Sequence, residues 1–155
     1  AAVCSSVEAV DTSGEALEMA RANAARNTIA NVEFRQADVF ALLAQYAQAR
    51  RRFGLVVLDP PAFAKSRAHL ENAARGYRDI NLHALRLLSP QGALITCSCS
   101  HLVTDEIFAE ILREASRDAG RPARLVETRT QSRDHPVLLT HPESKYLKCV
   151  VVEAA

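Results

Sequence analysis

The chain contains 155 residues, of which 48% are hydrophobic and 24% are charged, and its formal net charge is +1. This share of hydrophobic residues excludes a disordered chain. The near-zero net charge excludes attraction of nucleic acid through a general basic field. The apolar runs are too short to span a bilayer. The four cysteines lack the paired spacing of a zinc site and favour a reducing, cytoplasmic setting over a disulfide framework.

The first third of the chain alternates between strand and helix patterns. Both predicted strands end on an acidic residue, and the second helix has Phe40, Leu43 and Tyr46 at helical spacing. The predicted elements are, in order, a strand at Val7–Asp11, a helix from a cap at Thr12 or Ser13 to about Asn27, a strand at Val32–Asp38, and a helix from Val39 to about Arg52.

The stretch from Leu55 to Phe63 is the most informative part of the chain. Its apolar run lacks alternation, which is typical of a parallel strand buried on both faces. Pro60 and Pro61 end the strand because neither can donate to a ladder of hydrogen bonds. Asp59 is therefore predicted at the carboxyl end of a central strand, the edge where open α/β sheets bind ligands. An aspartate that only caps a turn is an equal alternative for this stretch alone.

The remaining elements continue the alternation until the end, where two strands follow each other without a helix. Alternation predicts a doubly wound, mostly parallel sheet, and the closing pair predicts an antiparallel hairpin. The predicted elements are a helix from about Ala68 to Leu88, a turn at Ser89–Gly92, a strand at Ala93–Cys97, a helix from Thr104 to a stop at Gly120, a strand at Arg124–Thr130, a polar loop at Gln131–Pro142, and a strand at Lys145–Val152.

Four groups of residues stand in an order that resembles one known family, the ribosomal RNA large subunit methyltransferase I family. These bacterial enzymes have the class I S-adenosylmethionine-dependent methyltransferase fold and make 5-methylcytosine in 23S ribosomal RNA. The resemblance spans nearly the whole chain. It is carried by Asp59-Pro60-Pro61-Ala62-Phe63, by Gly76-Tyr77-Arg78-Asp79-Ile80-Asn81, by Ser98-Cys99-Ser100, and by Asp134-His135-Pro136 ahead of His141-Pro142-Glu143.

The sequence departs from that family at its start. Class I methyltransferases place a glycine-rich loop after their first strand, and here the chain begins just before the second strand. We therefore expect residues 1–155 to form a partial catalytic domain, incomplete at the N-terminus, that binds S-adenosylmethionine weakly by itself. By the same resemblance, we expect the N-terminal RNA-binding domain of the family to lie outside these 155 residues.

The resemblance implies a set of cofactor-binding residues at strand ends. Asp11 would accept the ribose hydroxyls of S-adenosylmethionine, Asp38 and Val39 would meet the adenine, and Asp59 with Pro60 would line the same site. A helix cap is the alternative for both Asp11 and Asp38, since an acid at a strand end often accepts from the first turn of the next helix.

Cys99 is implied as the catalytic nucleophile, because carbon 5 of cytosine takes a methyl group only after a thiolate has added to carbon 6. Asp59 would act with it by stabilising charge that builds on the ring. Cys97 shares a strand face with Cys99 and is assigned to packing, like Cys4 and Cys149. The alternative is that Cys99 is also a small core residue.

Substrate-binding residues follow from the same motifs. A flipped cytosine and its RNA backbone would contact Pro61, Phe63, Lys65, Tyr77, Arg78 and His135. The alternatives are solvated surface charges for Lys65 and Arg78, a structural role for Tyr77, and an ordinary loop histidine for His135. No metal is expected, and 23S ribosomal RNA is the expected partner. The sequence leaves the formation of a homodimer undecided.

Two other functions compete with this interpretation. Amino-group methyltransferases also use Asp-Pro-Pro, although Ala62 here separates the prolines from the aromatic Phe63. A non-catalytic nucleotide-binding domain is the alternative from outside the enzymes. Replacement of Cys99 distinguishes an amino-group methyltransferase from a cytosine carbon 5 methyltransferase, because the amino-group enzyme needs no cysteine.

Overall fold

The computed structural model describes residues 3–64 and 66–155, with the backbone alone at position 67. The chain divides into two compact units, Ala1–Tyr46 and Ala47–Ala155. No helix in the described part of the chain is both long and apolar enough to cross a membrane.

The first unit has a pair of parallel strands, each followed by a helix. Strand β1 (Val7–Asp11) precedes helix α1 (Gly14–Arg26), and strand β2 (Val32–Gln36) precedes helix α2 (Val39–Gln48), which runs across the unit boundary. β1 and β2 are in register from Val7 opposite Val32 to Asp11 opposite Gln36. Asp11 and the residues after Gln36 therefore leave the sheet at the same edge, as the sequence predicts.

Side-chain contacts explain why these elements begin and pack where they do. Ser13 caps α1, its hydroxyl accepting from the backbone N–H of Ala16 at 3.2 Å. The buried hydroxyl of Tyr46 donates to the Glu8 carboxylate and accepts from Arg35 at 3.2 Å. A buried aromatic whose hydroxyl is fully paired ties α2 to the strands without leaving a polar group unsatisfied.

The second unit is a four-stranded sheet with two long helices. Its sheet order is β3-β4-β6-β5, and helix α3 packs against helix α4. The elements are β3 (Phe53–Leu58), α3 (Leu70–Leu87), β4 (Leu88–Ser98), α4 (Asp105–Ala119), β5 (Ala123–Arg129) and β6 (Lys148–Ala154), with short 3-10 helices at Arg67–His69 and Pro142–Ser144.

The pairing in this sheet confirms the predicted fold class. β3 and β4 run parallel, which requires a crossover, and α3 provides it. β6 lies antiparallel to both β4 and β5, so the last two strands form the predicted hairpin.

One face of the sheet is buried and the other is largely open. In β6, Lys148, Val150 and Val152 alternate with more exposed residues and are each less than a tenth exposed. In β3, Leu55 and Val57 are 43% and 58% exposed. The prediction of a central strand buried on both faces is therefore wrong for this sheet, because β3 is one of its two edge strands and the face that carries Leu55 and Val57 is open to solvent.

The sequence prediction also misses details of β4 and β6. Ser89–Gly92 does turn, but as a bulge within β4, because Leu88 pairs with Phe53 and Ala93 pairs with Leu55. A Cβ on Gly92 would lie 2.9 Å from the Ser89 carbonyl oxygen, so only glycine fits there. β6 begins at Lys148 rather than Lys145, since the 3-10 helix and its exit occupy the residues before it.

Gly120 offers a test of the helix-end geometry. It follows α4 with φ at 61° and nothing lies within 4 Å of a Cβ built on it. Gly120→Ala should therefore lower the free energy of unfolding by about 1 kcal/mol through backbone strain alone. Urea denaturation measures the change.

Gly54→Ala is the matched control, because a Cβ at Gly54 also meets nothing within 4 Å and no positive φ occurs there. It should be neutral or slightly stabilising. Equal losses in the two variants would contradict the strain argument.

Candidate active site

Two segments with chemically useful side chains leave the second unit at one sheet edge. Leu58 pairs with Thr96 across the parallel strands β3 and β4. Asp59-Pro60 and Ser98-Cys99-Ser100 therefore emerge side by side at the carboxyl ends of these strands, where the sequence predicts them. Asp59 itself is exposed.

Cys99 lies against the proline loop. Its side chain is half-buried, and its Sγ is 3.9 Å from the carbonyl oxygen of Pro60. That carbonyl is free for such a contact because β3 ends at Leu58. The thiol is thus partly open to solvent, which is one condition for a reactive cysteine, and lies beside the Asp-Pro-Pro segment.

Cys97 has a different environment two residues earlier. It is 9% exposed and pairs in register with Cys149 of β6. Burial, followed by Cys149 and Asp59, raises the pKa of Cys97 to about 12. Its thiol stays protonated at neutral pH, which suits packing and not nucleophilic attack. All four cysteines are free thiols.

Ser100 fixes the segment that carries Cys99. Its fully buried hydroxyl accepts from the backbone N–H of Ala64 at 3.3 Å and shares a hydrogen bond of 2.9 Å with the Tyr77 hydroxyl. Its own N–H reaches the hydroxyl of Ser98 at 3.4 Å. The loop after β3, helix α3 and the end of β4 therefore meet at one side chain.

Tyr77 is a core residue here. It is fully buried, with its ring centroid 4.6 Å from that of Phe63 and 5.7 Å from that of Phe108 in an edge-on arrangement. This is the structural alternative to the substrate contact. Phe63 is half-buried, and Gly76 permits its close approach, since a Cβ there would lie 3.3 Å from the Phe63 ring.

The basic residues predicted to contact substrate are not gathered around Cys99 by any described contact. Arg78 joins α3 to α4 through an ion pair with Asp118 and a longer one of 3.7 Å with Glu114. The hydrogen bond between Arg78 and Asp118 raises the pKa of the arginine and lowers that of the aspartate. His135 is exposed beside Asp134 at 3.2 Å, and Lys65 lies outside the described residues.

Lys148 is a residue near Cys99 that the sequence interpretation overlooks. It is 5% exposed, and its Nζ donates to the carbonyl oxygens of Ser100 at 2.7 Å and Tyr146 at 2.9 Å. Burial lowers the pKa of Lys148. The sequence signal for this burial is the alternation of Lys148 with Val150 and Val152, which places the lysine on the apolar face of the strand. An ammonium on that face is removed from water.

The acids of the first unit are both exposed and both accept a local backbone hydrogen bond. One carboxylate oxygen of Asp11 accepts from the N–H of Ser13 at 2.7 Å, and one of Asp38 accepts from the N–H of Ala41 at 2.9 Å. The helix-cap alternative is therefore observed for Asp38, which bonds to the first turn of α2, whereas Asp11 accepts from Ser13, the residue that caps α1. A carboxylate offers about four lone pairs, so a cap leaves acceptors for a ligand.

A cleft of about 540 Å³ lies elsewhere in the second unit, between α4 and strands β5 and β6. Lys148 lines it, but Asp59 and Cys99 do not. Within residues 3–64 and 66–155, no three histidine, cysteine, aspartate or glutamate side chains are grouped so that they could hold a metal ion.

Parallel strand pairs that alternate with helices, followed by an antiparallel hairpin, define the fold class as α/β. Sequence comparison agrees, and the chain belongs to the methyltransferase domain family, whose model matches residues 4–140. It is 48% identical over 147 residues to ribosomal RNA large subunit methyltransferase I of Tolumonas auensis and 45% identical to that of Escherichia coli. The match covers 94% of this chain and 37% of each relative.

Solved structures show the same fold. A SAM-dependent methyltransferase candidate from Streptococcus mutans superimposes with a TM-score of 0.81 at 18% identity, covering 96% of this chain and 38% of that one. The N-methyltransferase NodS from Bradyrhizobium japonicum, in complex with S-adenosyl-L-homocysteine, gives a TM-score of 0.61 at 16% identity and covers 99% and 69% of the two chains.

The hydrogen bond at Ser100 predicts a stability effect. Tyr77→Phe removes a buried hydroxyl that Ser100 uses, and should lower the free energy of unfolding by about 1 kcal/mol. Tyr146→Phe is the control, because the half-buried Tyr146 hydroxyl has no hydrogen bond within the described residues. Chemical denaturation of both variants checks this, and an equal effect in both would contradict it.

The raised pKa of Cys97 predicts a pH dependence. Burial raises the pKa of Cys97 in the folded state to about 12, whereas the thiol of the unfolded chain has its ordinary pKa of 9.0. The stabilisation is therefore fully present below pH 9 and is lost as pH rises toward 12, by about 1 kcal/mol at pH 10. Denaturation of wild type and Cys97→Ala at pH 7 and pH 10 measures it.

The variant should lose less stability than wild type between these pH values. Cys4→Ala, at a half-buried position in the first unit, is the control and should follow the wild type. Parallel curves for wild type and Cys97→Ala would show that Cys97 is not the titrating group.

Proposed function

We propose that this chain carries the catalytic site of an enzyme that transfers a methyl group from S-adenosylmethionine to carbon 5 of a cytosine in 23S ribosomal RNA, in the cytoplasm. Cys99 is the nucleophile. The observation that carries the proposal is the half-buried Cys99 thiol 3.9 Å from the Pro60 carbonyl, at the sheet edge that also presents Asp59. The free cysteines are consistent with a reducing compartment.

The chemistry explains why a cysteine stands at this edge. The Cys99 thiolate adds to carbon 6 of cytosine, which makes carbon 5 an enamine carbon able to attack the methyl group. Bound S-adenosylmethionine would supply the methyl group to carbon 5 and would depart as S-adenosylhomocysteine. A base removes the carbon 5 proton, the carbon 6–sulfur bond breaks, and the thiolate is restored. Asp59, protonated or hydrogen-bonded to nitrogen 3 of the cytosine, stabilises the charge that builds on the ring during addition.

The first unit has side chains suited to the adenosine part of S-adenosylmethionine. Asp11 and Asp38 are exposed acids that leave the parallel pair β1 and β2 at one edge. Asp11 is suited to the ribose hydroxyls, and Asp38 with the neighbouring Val39 is suited to the adenine. The bound cofactor supplies the methyl group, while the protein groups orient it.

The described contacts favour some of the proposed substrate residues over others. Pro61 is exposed and Phe63 is half-buried, so both are available to a flipped base. Lys65 and His135 remain proposed contacts to RNA. Tyr77 and Arg78 support the site indirectly, Tyr77 through Ser100 and Arg78 through its ion pairs with α4.

The test uses this sequence in its natural full-length context. Incubation with labelled S-adenosylmethionine and large-subunit ribosomal RNA, followed by mass spectrometry of nucleosides, should yield 5-methylcytidine. Cys99→Ser should reduce the product to background, because a serine hydroxyl barely ionises at neutral pH whereas a thiol ionises near pH ~8.5. Cys97→Ser is the matched control and should keep most of the activity.

RNA containing 5-fluorocytosine gives an independent readout. Fluorine cannot leave as a proton, so the adduct at Cys99 should persist and appear as a covalent RNA–protein complex. Retention of activity in Cys99→Ser with an N-methylated product would replace this proposal with an amino-group methyltransferase. An adduct mapped to Cys97 would overturn the choice of nucleophile.

A further inference from the structure

Lys148 is buried in a way that ordinary surface lysines are not. It opens β6 directly opposite Ser98 of β4, and its ammonium donates to the Ser100 carbonyl at 2.7 Å and to the Tyr146 carbonyl at 2.9 Å. The side chain is 5% exposed. Burial of an ammonium group has a high desolvation cost. The position of Lys148 beside Ser98-Cys99-Ser100 therefore needs a functional explanation.

No carboxylate within the described residues is hydrogen-bonded to Lys148. The nearby carboxylate of Asp105 bonds instead to Lys145, at 2.7 Å. Burial lowers the pKa of Lys148, while Asp105 and then Cys99 act to raise it. The hydrogen-bond partners of Lys148 are thus two neutral carbonyl groups, and one of them belongs to the residue directly after Cys99.

We propose that Lys148 is a positioning residue for Cys99, holding the Ser100 carbonyl and presenting a fixed positive charge to the Cys99 thiolate. This inference rests on the proposed function of Cys99. An opposite charge in a partly desolvated site favours the thiolate over the thiol. It also favours return of the electron pair to sulfur when the bond to carbon 6 breaks, so one lysine assists both the first and the last step.

Other charged groups lie near Lys148 or Cys99, and the test must distinguish their effect on Cys99 from the effect of Lys148. Lys145 is the most useful, because it lies three residues earlier and carries the same charge but is about half exposed and paired with Asp105. The remaining titratable or charged groups that face Lys148 or Cys99 from the neighbouring elements are Asp59, Cys97, Asp105, Glu106, Arg113 and Cys149.

The experiment compares two alkylating reagents on this chain at pH 7. Iodoacetate is an anion and iodoacetamide is neutral, so the ratio of their rates at one thiol reports the local charge and is insensitive to simple exposure. Mass spectrometry with fragment ions separates modification of Cys99 from that of Cys97. In Lys148→Met, the iodoacetate rate at Cys99 should fall about tenfold and the iodoacetamide rate about threefold, which lowers the ratio about threefold.

Two further variants make the result specific. Lys148→Arg keeps the charge and should restore the ratio to within about twofold of wild type, whereas a loss of packing alone would not be rescued. Lys145→Met is the matched control and should change the ratio much less than Lys148→Met. An equal fall in both methionine variants would overturn the inference, because the effect would then be a general field.

A measurement on the wild-type chain covers the case in which Lys148→Met does not fold. Because burial lowers the pKa of Lys148, its charge is lost at a lower pH than that of an ordinary lysine. The iodoacetate-to-iodoacetamide ratio at Cys99 should therefore begin to fall at a pH below the range in which an ordinary lysine titrates, which is centred on pH ~10.4. The same fall should persist in Lys145→Met.

The outcomes separate this inference from the proposed function. A ratio that stays constant in folded Lys148→Met, or throughout the wild-type pH series, overturns the role of Lys148 and leaves the methylation proposal standing. A Cys99→Ser protein that still methylates RNA overturns the proposed function, and with it the catalytic meaning of Lys148, whatever the thiol measurements give.

Discussion

The candidate site depends on the hydrogen bonds of one buried serine. The Ser100 hydroxyl accepts from the N–H of Ala64 and shares a hydrogen bond with Tyr77, and the Ser100 carbonyl accepts from Lys148. A hydroxyl has one donor and two acceptor positions, and the contacts with Ala64 and Tyr77 occupy two of these three. Because all of this lies away from water, displacement of any partner would leave a polar group unpaired at a cost of about 1–3 kcal/mol.

That arrangement fixes Cys99 without restraining its sulfur. The backbone on the far side of Cys99 is held at Ser100, and the backbone before it is held in β4, which ends at Ser98. Within the described residues, the hydrogen-bond contact of the sulfur is a weak one, at 3.9 Å to the Pro60 carbonyl. A nucleophile needs this combination, since its position must be set by its neighbours while its reactive atom remains available.

The sequence is sufficient to predict the parts of this site that follow from strand direction. Asp59 and Cys99 follow strands that read as parallel, and parallel strands end at one edge whatever their exact bounds. The roles of Tyr77 and Lys148 depend on contacts between distant segments, Tyr77 to Ser100 and Lys148 to Ser100, and no local pattern specifies those. The bulge at Ser89–Gly92 was predictable as a turn but not as part of β4, because its strand partner Phe53 is far away in sequence.

Cys97 and Cys99 are two residues apart and have different environments, one suited to packing and the other to chemistry. Cys97 is inside the strand, paired with Cys149, and burial holds its proton. Cys99 is one residue past the strand, where pairing stops, solvent enters and the Lys148 ammonium is nearby. The same side chain is therefore buried on one side of a strand end and partly open to solvent on the other. A parallel sheet creates that boundary at its carboxyl edge, which is why a cysteine proposed as nucleophile is found there.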